Sequence, residues 1–171
     1  LEGCVLLAEH IQLNSYWIIK KLNSATNKQM QEAQVLKGVK HPGIPLIVDV
    51  FMENEWLVII REYVEGNTLH DIVNDGGVLE PERVVDYGIK LCDILIFLHE
   101  SLDAPLIYRD LKPENIIVDQ HQHLTLIDFG IARFYQANKD HDTTYLGTKG
   151  FSAPEQYGFS QSDVRSDVFA L

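Results

Sequence analysis

Tyr108-Arg109-Asp110-Leu111-Lys112-Pro113-Glu114-Asn115 is the stretch that decides the fold. It places Asp110 and Asn115 five residues apart in a proline-containing loop. Two short apolar runs follow, at 116–118 and 124–127, around the polar turn Asp119-Gln120-His121-Gln122-His123, and they read as a hairpin. Asp128 stands where the second run ends and opens Asp128-Phe129-Gly130. A carboxylate and an amide converging from opposite ends of one hairpin can hold a hard divalent cation. Mg²⁺ takes one or two carboxylates together with phosphate oxygens and water. A second carboxylate and a lysine beside it can orient a hydroxyl and neutralise a phosphoryl group in transfer.

Working outward, Glu80-Pro81-Glu82 is a helix start, with proline in the first turn and acids at the positive end of the dipole. The helix it opens, 82–101, is expected to bury Val85, Ile89, Cys92, Ile96 and Leu98 on one face. A short helix is expected at 68–75. Before it, strands at 3–9 and 16–22 form a hairpin across Asn14-Ser15, and a second pair, 46–52 and 56–62, turns at Glu53-Asn54-Glu55. Between the pairs, Met30, Ala33, Leu36 and Val39 mark a helix over 24–40 that starts at Ser24 or Thr26. His41-Pro42-Gly43-Ile44-Pro45 ends it.

The chain has 171 residues and a net charge of -11, with 46% hydrophobic and 23% charged residues, the profile of a soluble globular domain. Residues 66–171 carry most of the charge, with 8 basic against 17 acidic residues. That acidity argues against nucleic acid as a partner. No apolar run is long enough to cross a bilayer, and no secretory signal is present. Cys4 and Cys92 have no metal-ligand spacing, so a cytoplasmic location is expected.

In order, Trp17-Ile18-Ile19-Lys20, Glu32, Tyr108-Arg109-Asp110 with Asn115, Asp128-Phe129-Gly130 and Ala153-Pro154-Glu155 resemble the signature motifs of eukaryotic-type serine/threonine protein kinases. The wording Asp-Leu-Lys-Pro-Glu-Asn is the serine/threonine type, and Glu-Gln-Tyr after Ala-Pro suggests a bacterial member. The resemblance covers the whole chain. It implies an α+β, two-lobed kinase-like fold, with residues 1–65 as an antiparallel N-lobe with one helix and the hinge, and 66–171 as a mainly helical C-lobe. The chain is expected to be cut inside the Gly-rich loop, of which Gly3-Cys4-Val5 is the end, and again at the central helix begun by Asp167-Val168-Phe169-Ala170-Leu171.

The resemblance further implies ATP and Mg²⁺ as cofactors and a protein Ser/Thr hydroxyl as acceptor. Lys20 would hold the α/β-phosphates and pair with Glu32. Asp110 would orient the acceptor hydroxyl, Lys112 would meet the γ-phosphate, and Asn115 and Asp128 would bind the metal. Gly3, Val5, Ile18 and Ile117 would enclose the nucleotide, with the Glu62–Val64 backbone on the adenine edge. Phe129 would pack near Leu36, and Asp167 would brace the 108–110 loop. Arg109 implies control by phosphorylation, with Thr143 and Thr144 as the phosphosites and Thr148 as a residue that positions substrate.

Three positions depart from the pattern. Tyr108 replaces the usual His, Ile18 the usual Ala, and Arg61 an apolar or Thr gatekeeper. A buried guanidinium at 61 needs a partner, Glu32 or Asp128. From Ile18 and Arg61 comes an alternative, a nucleotide-binding pseudokinase or scaffold. From the chain ends comes another, an inactive, aggregation-prone fragment. The remaining candidates read as structure: His121 and His123 as turn residues, His41 and His99 as loop and helix-end residues, Tyr145 as a loop residue, and Cys4 as a small buried hydrophobe.

Overall fold

The computed structural model describes residues 3–23, 26–130, 132–135, 148–158 and 160–171. Packing divides the chain into two compact units, Leu1–Glu65 and Gly66–Leu171.

The first unit is a four-stranded antiparallel sheet in the order β1-β2-β4-β3 with one helix. Strands β1 (Gly3–His10) and β2 (Ser15–Asn23) form the expected hairpin, paired from Gly3↔Leu22 to His10↔Ser15. Asn14 closes the turn at φ 49°, a left-handed conformation that asparagine tolerates. Strands β3 (Ile47–Glu53) and β4 (Trp56–Glu62) turn at Asn54, φ 56°. Gly3 is required where it stands, because a Cβ there would lie 2.6 Å from the Lys21 carbonyl oxygen on β2.

Helix α1 (Asn27–Leu36) is shorter than the expected 24–40 at both ends. Thr26 caps it through a reciprocal box: Thr26 Oγ1 accepts from Gln29 N, and Gln29 Oε1 accepts from Thr26 N at 2.8 Å. The helix closes on tight turns, with Gly38 N donating to Val35 O and Val39 N to Leu36 O. Val39 is therefore buried from the turn and not from the helix. The core gathers Leu22, Ala33, Leu36, Val50, Leu57 and Val58. Each such Leu or Val side chain contributes roughly 1.5–3 kcal/mol of burial. Cys4 corrects the sequence expectation: it is exposed. It lies on β1, an edge strand whose residues are nearly all exposed, where alternation sets it on the opposite face from Val5.

In the second unit, Thr68 Oγ1 accepts from Asp71 N and starts α2 (Leu69–Gly76), close to the expected 68–75. Helix α3 (Pro81–Glu100) has Pro81 in its first turn, as its start signal predicts. Its buried residues are Tyr87, Leu91, Ile94, Leu95 and Leu98, so of the expected face Leu98 is buried and Cys92 half-buried, and the rest is corrected. Val85, Ile89 and Ile96 are 61%, 58% and 52% exposed. The helix carries two apolar stripes, and periodicity alone does not choose between them. Packing chooses the stripe with Tyr87, whose hydroxyl donates to Gln122 Oε1 in the hairpin turn below.

That hairpin, β7 (Ile116–Val118) and β8 (Leu124–Leu126), joins β5 (Asn67–Thr68) in a three-stranded sheet. Two further short strands, β6 (Leu106–Ile107) and β9 (Arg133–Phe134), pair with each other. Helix α4 (Val164–Ala170) starts at Asp163, whose Oδ1 accepts from Arg165 N. The His121 and His123 amides both donate to Asp119 Oδ1, so these histidines shape a turn. Among the described residues no three His, Cys, Asp or Glu side chains form a metal-binding cluster. No helix of the described residues is long and apolar enough to cross a membrane.

Candidate active site

The loop between β6 and β7 is fixed from below by one fully buried carboxylate. Asp167 Oδ2 accepts from Tyr108 N at 2.8 Å and Oδ1 accepts from Arg109 N at 2.7 Å. His99 Nε2 donates to the same Oδ2 at 2.8 Å. Charge-assisted bonds of this kind are about twice as strong as neutral ones. They hold Arg109 at φ 68°, a costly conformation for a side chain of its size. From above, Gln156 Nε2 donates to the Arg109 carbonyl at 2.8 Å, while Gln156 Oε1 accepts from Ala153 N. The Ala153-Pro154-Glu155 segment is thereby tied to the loop. Glu155 Oε1 accepts from Ser166 Oγ of α4 at 2.6 Å.

So braced, the loop presents Asp110. Its Oδ1 accepts from the Thr148 hydroxyl at 2.9 Å, and its Oδ2 accepts from Asn115 Nδ2 at 2.7 Å and faces Lys112 Nζ at 3.0 Å. Lys112 also donates to Thr148 Oγ1 at 2.9 Å, which closes the cluster. A short 3₁₀ turn, Pro113–Asn115, delivers Asn115 to it. The Asn115 carbonyl accepts from Ile127 N, so Asp128 emerges beside Asn115. Asp128 is left-handed, φ 59°, with Oδ1 accepting from Gly130 N. Next to it, Phe129 meets Tyr108 edge to face at 5.0 Å between ring centres. Burial first, then the charges of Asp128, Asp110 and Asp167, push the Tyr108 phenol well above its ordinary range, so the ring stays neutral.

In the second unit the structure therefore brings together Asp110, Lys112, Asn115 and Thr148, with Asp128 alongside. Ile117 is half-buried on β7. Arg109 is buried. Thr143, Thr144 and Tyr145 lie outside the described residues.

In the first unit, register puts Val5 opposite Lys20 and Lys20 opposite Ile59, with Ile18 opposite Arg61. Direct partners share a face, so Val5, Ile18, Lys20 and Arg61 leave the sheet on one side. Glu32 falls on α1, and its side chain lies outside the described residues. Glu62 N donates to Leu46 O at the end of β4, and Val64 follows, half-buried. Arg61 Nη1 donates to the Glu62 carbonyl at 3.0 Å. That bond lies along its own strand, and the side chain of Glu32, one of the two expected partners, is not among those described.

Two residues of the loop's support are not legible as such in the sequence: Gln156 reads only as a family marker, and His99 as a helix-end residue. A buried glutamine needs partners for both its groups, and that need was the available signal.

A family model described as the protein kinase domain matches residues 2–171. A probable serine/threonine-protein kinase of Clostridium perfringens is 32% identical over 142 residues, covering 82% of this chain and 20% of that protein. Serine/threonine-protein kinase PrkC of Bacillus subtilis is 30% identical over 175 residues, 98% of this chain and 26% of that protein. Serine/threonine-protein kinase pkn2 of Myxococcus xanthus is 31% identical over 183 residues, 99% of this chain and 22% of that protein. The chain thus spans about a quarter or less of the length of these bacterial relatives, and similar matches extend to eukaryotic serine/threonine kinases, among them Nek1 of Mus musculus.

Proposed function

The chain belongs to the protein kinase family, and from that premise we propose that it transfers the γ-phosphate of ATP to a serine or threonine hydroxyl of a protein substrate. The observation that carries this reading is the closed cluster of Asp110, Thr148, Lys112 and Asn115. A hydroxyl, that of Thr148, already donates to Asp110 Oδ1. An acceptor serine or threonine meeting the same carboxylate would be oriented by it and could release its proton there. Lys112, beside the carboxylate, supplies positive charge for the phosphoryl oxygens.

The residues present fit Mg²⁺. Asn115 spends its Nδ2 on Asp110, which leaves its amide oxygen as the atom it can offer, and Asp128 adds a carboxylate. Hard oxygen donors of this number suit Mg²⁺ completed by phosphate and water. Bound there, the ion would neutralise phosphate charge. In the first unit, Lys20 with Glu32 would hold the α/β-phosphates. Gly3 and Val5 on β1, Ile18 on β2 and the Glu62–Val64 backbone would take the nucleotide. A phosphate on Thr143 or Thr144 would act through Arg109. The net charge of -11 supports a protein partner over nucleic acid, and two free cysteines support a cytoplasmic setting.

The test is phosphate transfer from Mg²⁺-ATP by the protein carrying this chain at its full natural length. Phosphothreonine or phosphoserine should appear on the protein itself or on a generic acceptor, and Asp110→Asn should abolish it. Equal labelling by wild type and variant would remove Asp110 from the chemistry. A thermal shift with Mg²⁺-ATP but no transfer would favour a nucleotide-binding scaffold.

A further inference from the structure

Asp128, which the proposed function gives to the metal, follows the end of β8 by two residues. In the sheet β5-β7-β8, β7 lies in the middle and β8 at the edge, paired among the described residues with β7 alone. Asn115 has support of its own, because its amide donates to both the carbonyl and the carboxylate of Asp110. Asp128 depends more on its strand. Pairing sets the register of β8, and the buried Leu124 and Leu126 set its depth. An edge strand can still twist against a single neighbour.

At the other end of β8 stands Gln122, two residues before Leu124. It has φ 63°, where a hairpin turn ordinarily uses Gly, Asn or Asp. Such strain persists where the surroundings over-determine it. Here they do so from three sides. The buried Tyr87 of α3 donates its hydroxyl to Gln122 Oε1, Lys90 Nζ of the same helix donates to the Gln122 carbonyl at 2.9 Å, and Gln122 N donates to Asp119 O at 3.0 Å. Glycine would make this turn without strain. Glutamine adds what glycine lacks, a side chain that reaches the helix.

We propose that Gln122 and Tyr87 are positioning residues for Asp128: their hydrogen bond pins the hairpin turn to α3, fixes the tilt of β8 and so sets the Asp128 carboxylate for the metal. The proposal rests on the metal-binding reading above. Loss of this one neutral hydrogen bond should weaken the metal's contribution to nucleotide binding about threefold.

The experiment uses the protein carrying this chain at its full natural length. Titration calorimetry measures the dissociation constant of ATP with Mg²⁺ and with EDTA in its place, and the ratio of the two isolates the metal. In Gln122→Gly the ratio should fall about threefold, while ATP binding in EDTA is unchanged and the melting temperature is unchanged or higher. Tyr87→Phe should lower the ratio equally, and the double variant should be no worse than either single one, because both remove the same bond. A Gln122→Gly protein with the wild-type ratio, or a double variant whose losses add, overturns the assignment and leaves the kinase reading standing. Tyr87→Phe carries the same expectation if Gln122→Gly does not fold. A wild-type ratio of one overturns the metal reading and this proposal together.

Discussion

Removing the Asp167 carboxylate tests how the 108–110 loop is held. In Asp167→Ala three donors lose their acceptor at once: Tyr108 N, Arg109 N and His99 Nε2. The site is fully buried, so water does not replace them without opening the fold. An orphaned buried donor costs about 1–3 kcal/mol. Three of them, allowing for partial relaxation, give about 3–5 kcal/mol, a large share of the roughly 5–15 kcal/mol that holds a domain together. Arg109 at φ 68° adds to the effect, because its strained backbone then loses the bond on its N–H. Urea unfolding should be followed by circular dichroism. Both tryptophans, Trp17 and Trp56, lie in the first unit, and their fluorescence would report that unit instead. With a urea slope near 2 kcal/mol/M, the midpoint should fall by about 1.5–2.5 M. His99→Ala should cost less, since it removes one donor and leaves the carboxylate two. The pair should be non-additive, as residues sharing one network are. A midpoint for Asp167→Ala within about 0.3 M of that for the exposed control Asp103→Ala would refute the reasoning.

Gly66→Ala places a Cβ 2.4 Å from the Val118 carbonyl oxygen at φ +142°, so it should cost about 3 kcal/mol and weaken the β5–β7 pairing, read as a fall in melting temperature. Gln156→Ala removes the bond to the Arg109 carbonyl. In a transfer assay it should lower kcat by about tenfold or more with KM little changed, because a positioning residue acts on the loop and not on the nucleotide. Thr26→Ala breaks the capping box of α1 and should cost about 1 kcal/mol, measured by urea unfolding with tryptophan fluorescence. The backbone N–H of His123, then its side chain and the His121 N–H, hold the Asp119 carboxyl below its ordinary 3.8. A lowered folded value means that the stabilisation is complete above the ordinary value and is lost as pH falls through the folded one. Unfolding midpoints should therefore decline below about pH 4 in wild type, and less steeply in Asp119→Ala.

The candidate site was legible because its chemistry is local. Asp110, Lys112 and Asn115 fall within six residues, and a proline turn is enough to bring them together. Thr148 and Asp167 were readable only through the resemblance, since nothing in their own neighbourhoods marks them. Strand pairs 3–10 with 15–23 and 47–53 with 56–62 were legible for a similar reason: short turns fix their register. What was hidden depends on partners distant in sequence. Two-residue strands such as β5, β6 and β9 have no period to detect. The buried stripe of α3 was set by a hairpin more than twenty residues away. Cys4 looked buried by composition, and its place on an edge strand decided otherwise.

The two non-glycine residues with positive φ around the cluster show why stability and activity share residues here. Arg109 immediately precedes Asp110, and Asp128 immediately precedes Phe129. A left-handed residue costs of order 1 kcal/mol or more, and such strain persists only where the surroundings over-determine it. For Arg109 the determinants are Asp167 on its N–H and Gln156 on its carbonyl, supplied by α4 and by the segment after Ala153. For Asp128 the side chain turns back to Gly130 N, while the preceding Ile127 N–H is held by Asn115. The bend at 109 aims the Asp110 carboxylate at Thr148, and the bend at 128 starts from a residue tied to Asn115. The same backbone hydrogen bonds that absorb the strain therefore set the positions of the carboxylates. A substitution that relaxes either bend should gain local stability while moving a carboxylate off its partners. Arg109→Gly is the control for it: glycine adopts φ 68° freely, so the bend and the Asp110 carboxylate should stay in place, and the net change in stability combines the relieved strain with the lost guanidinium.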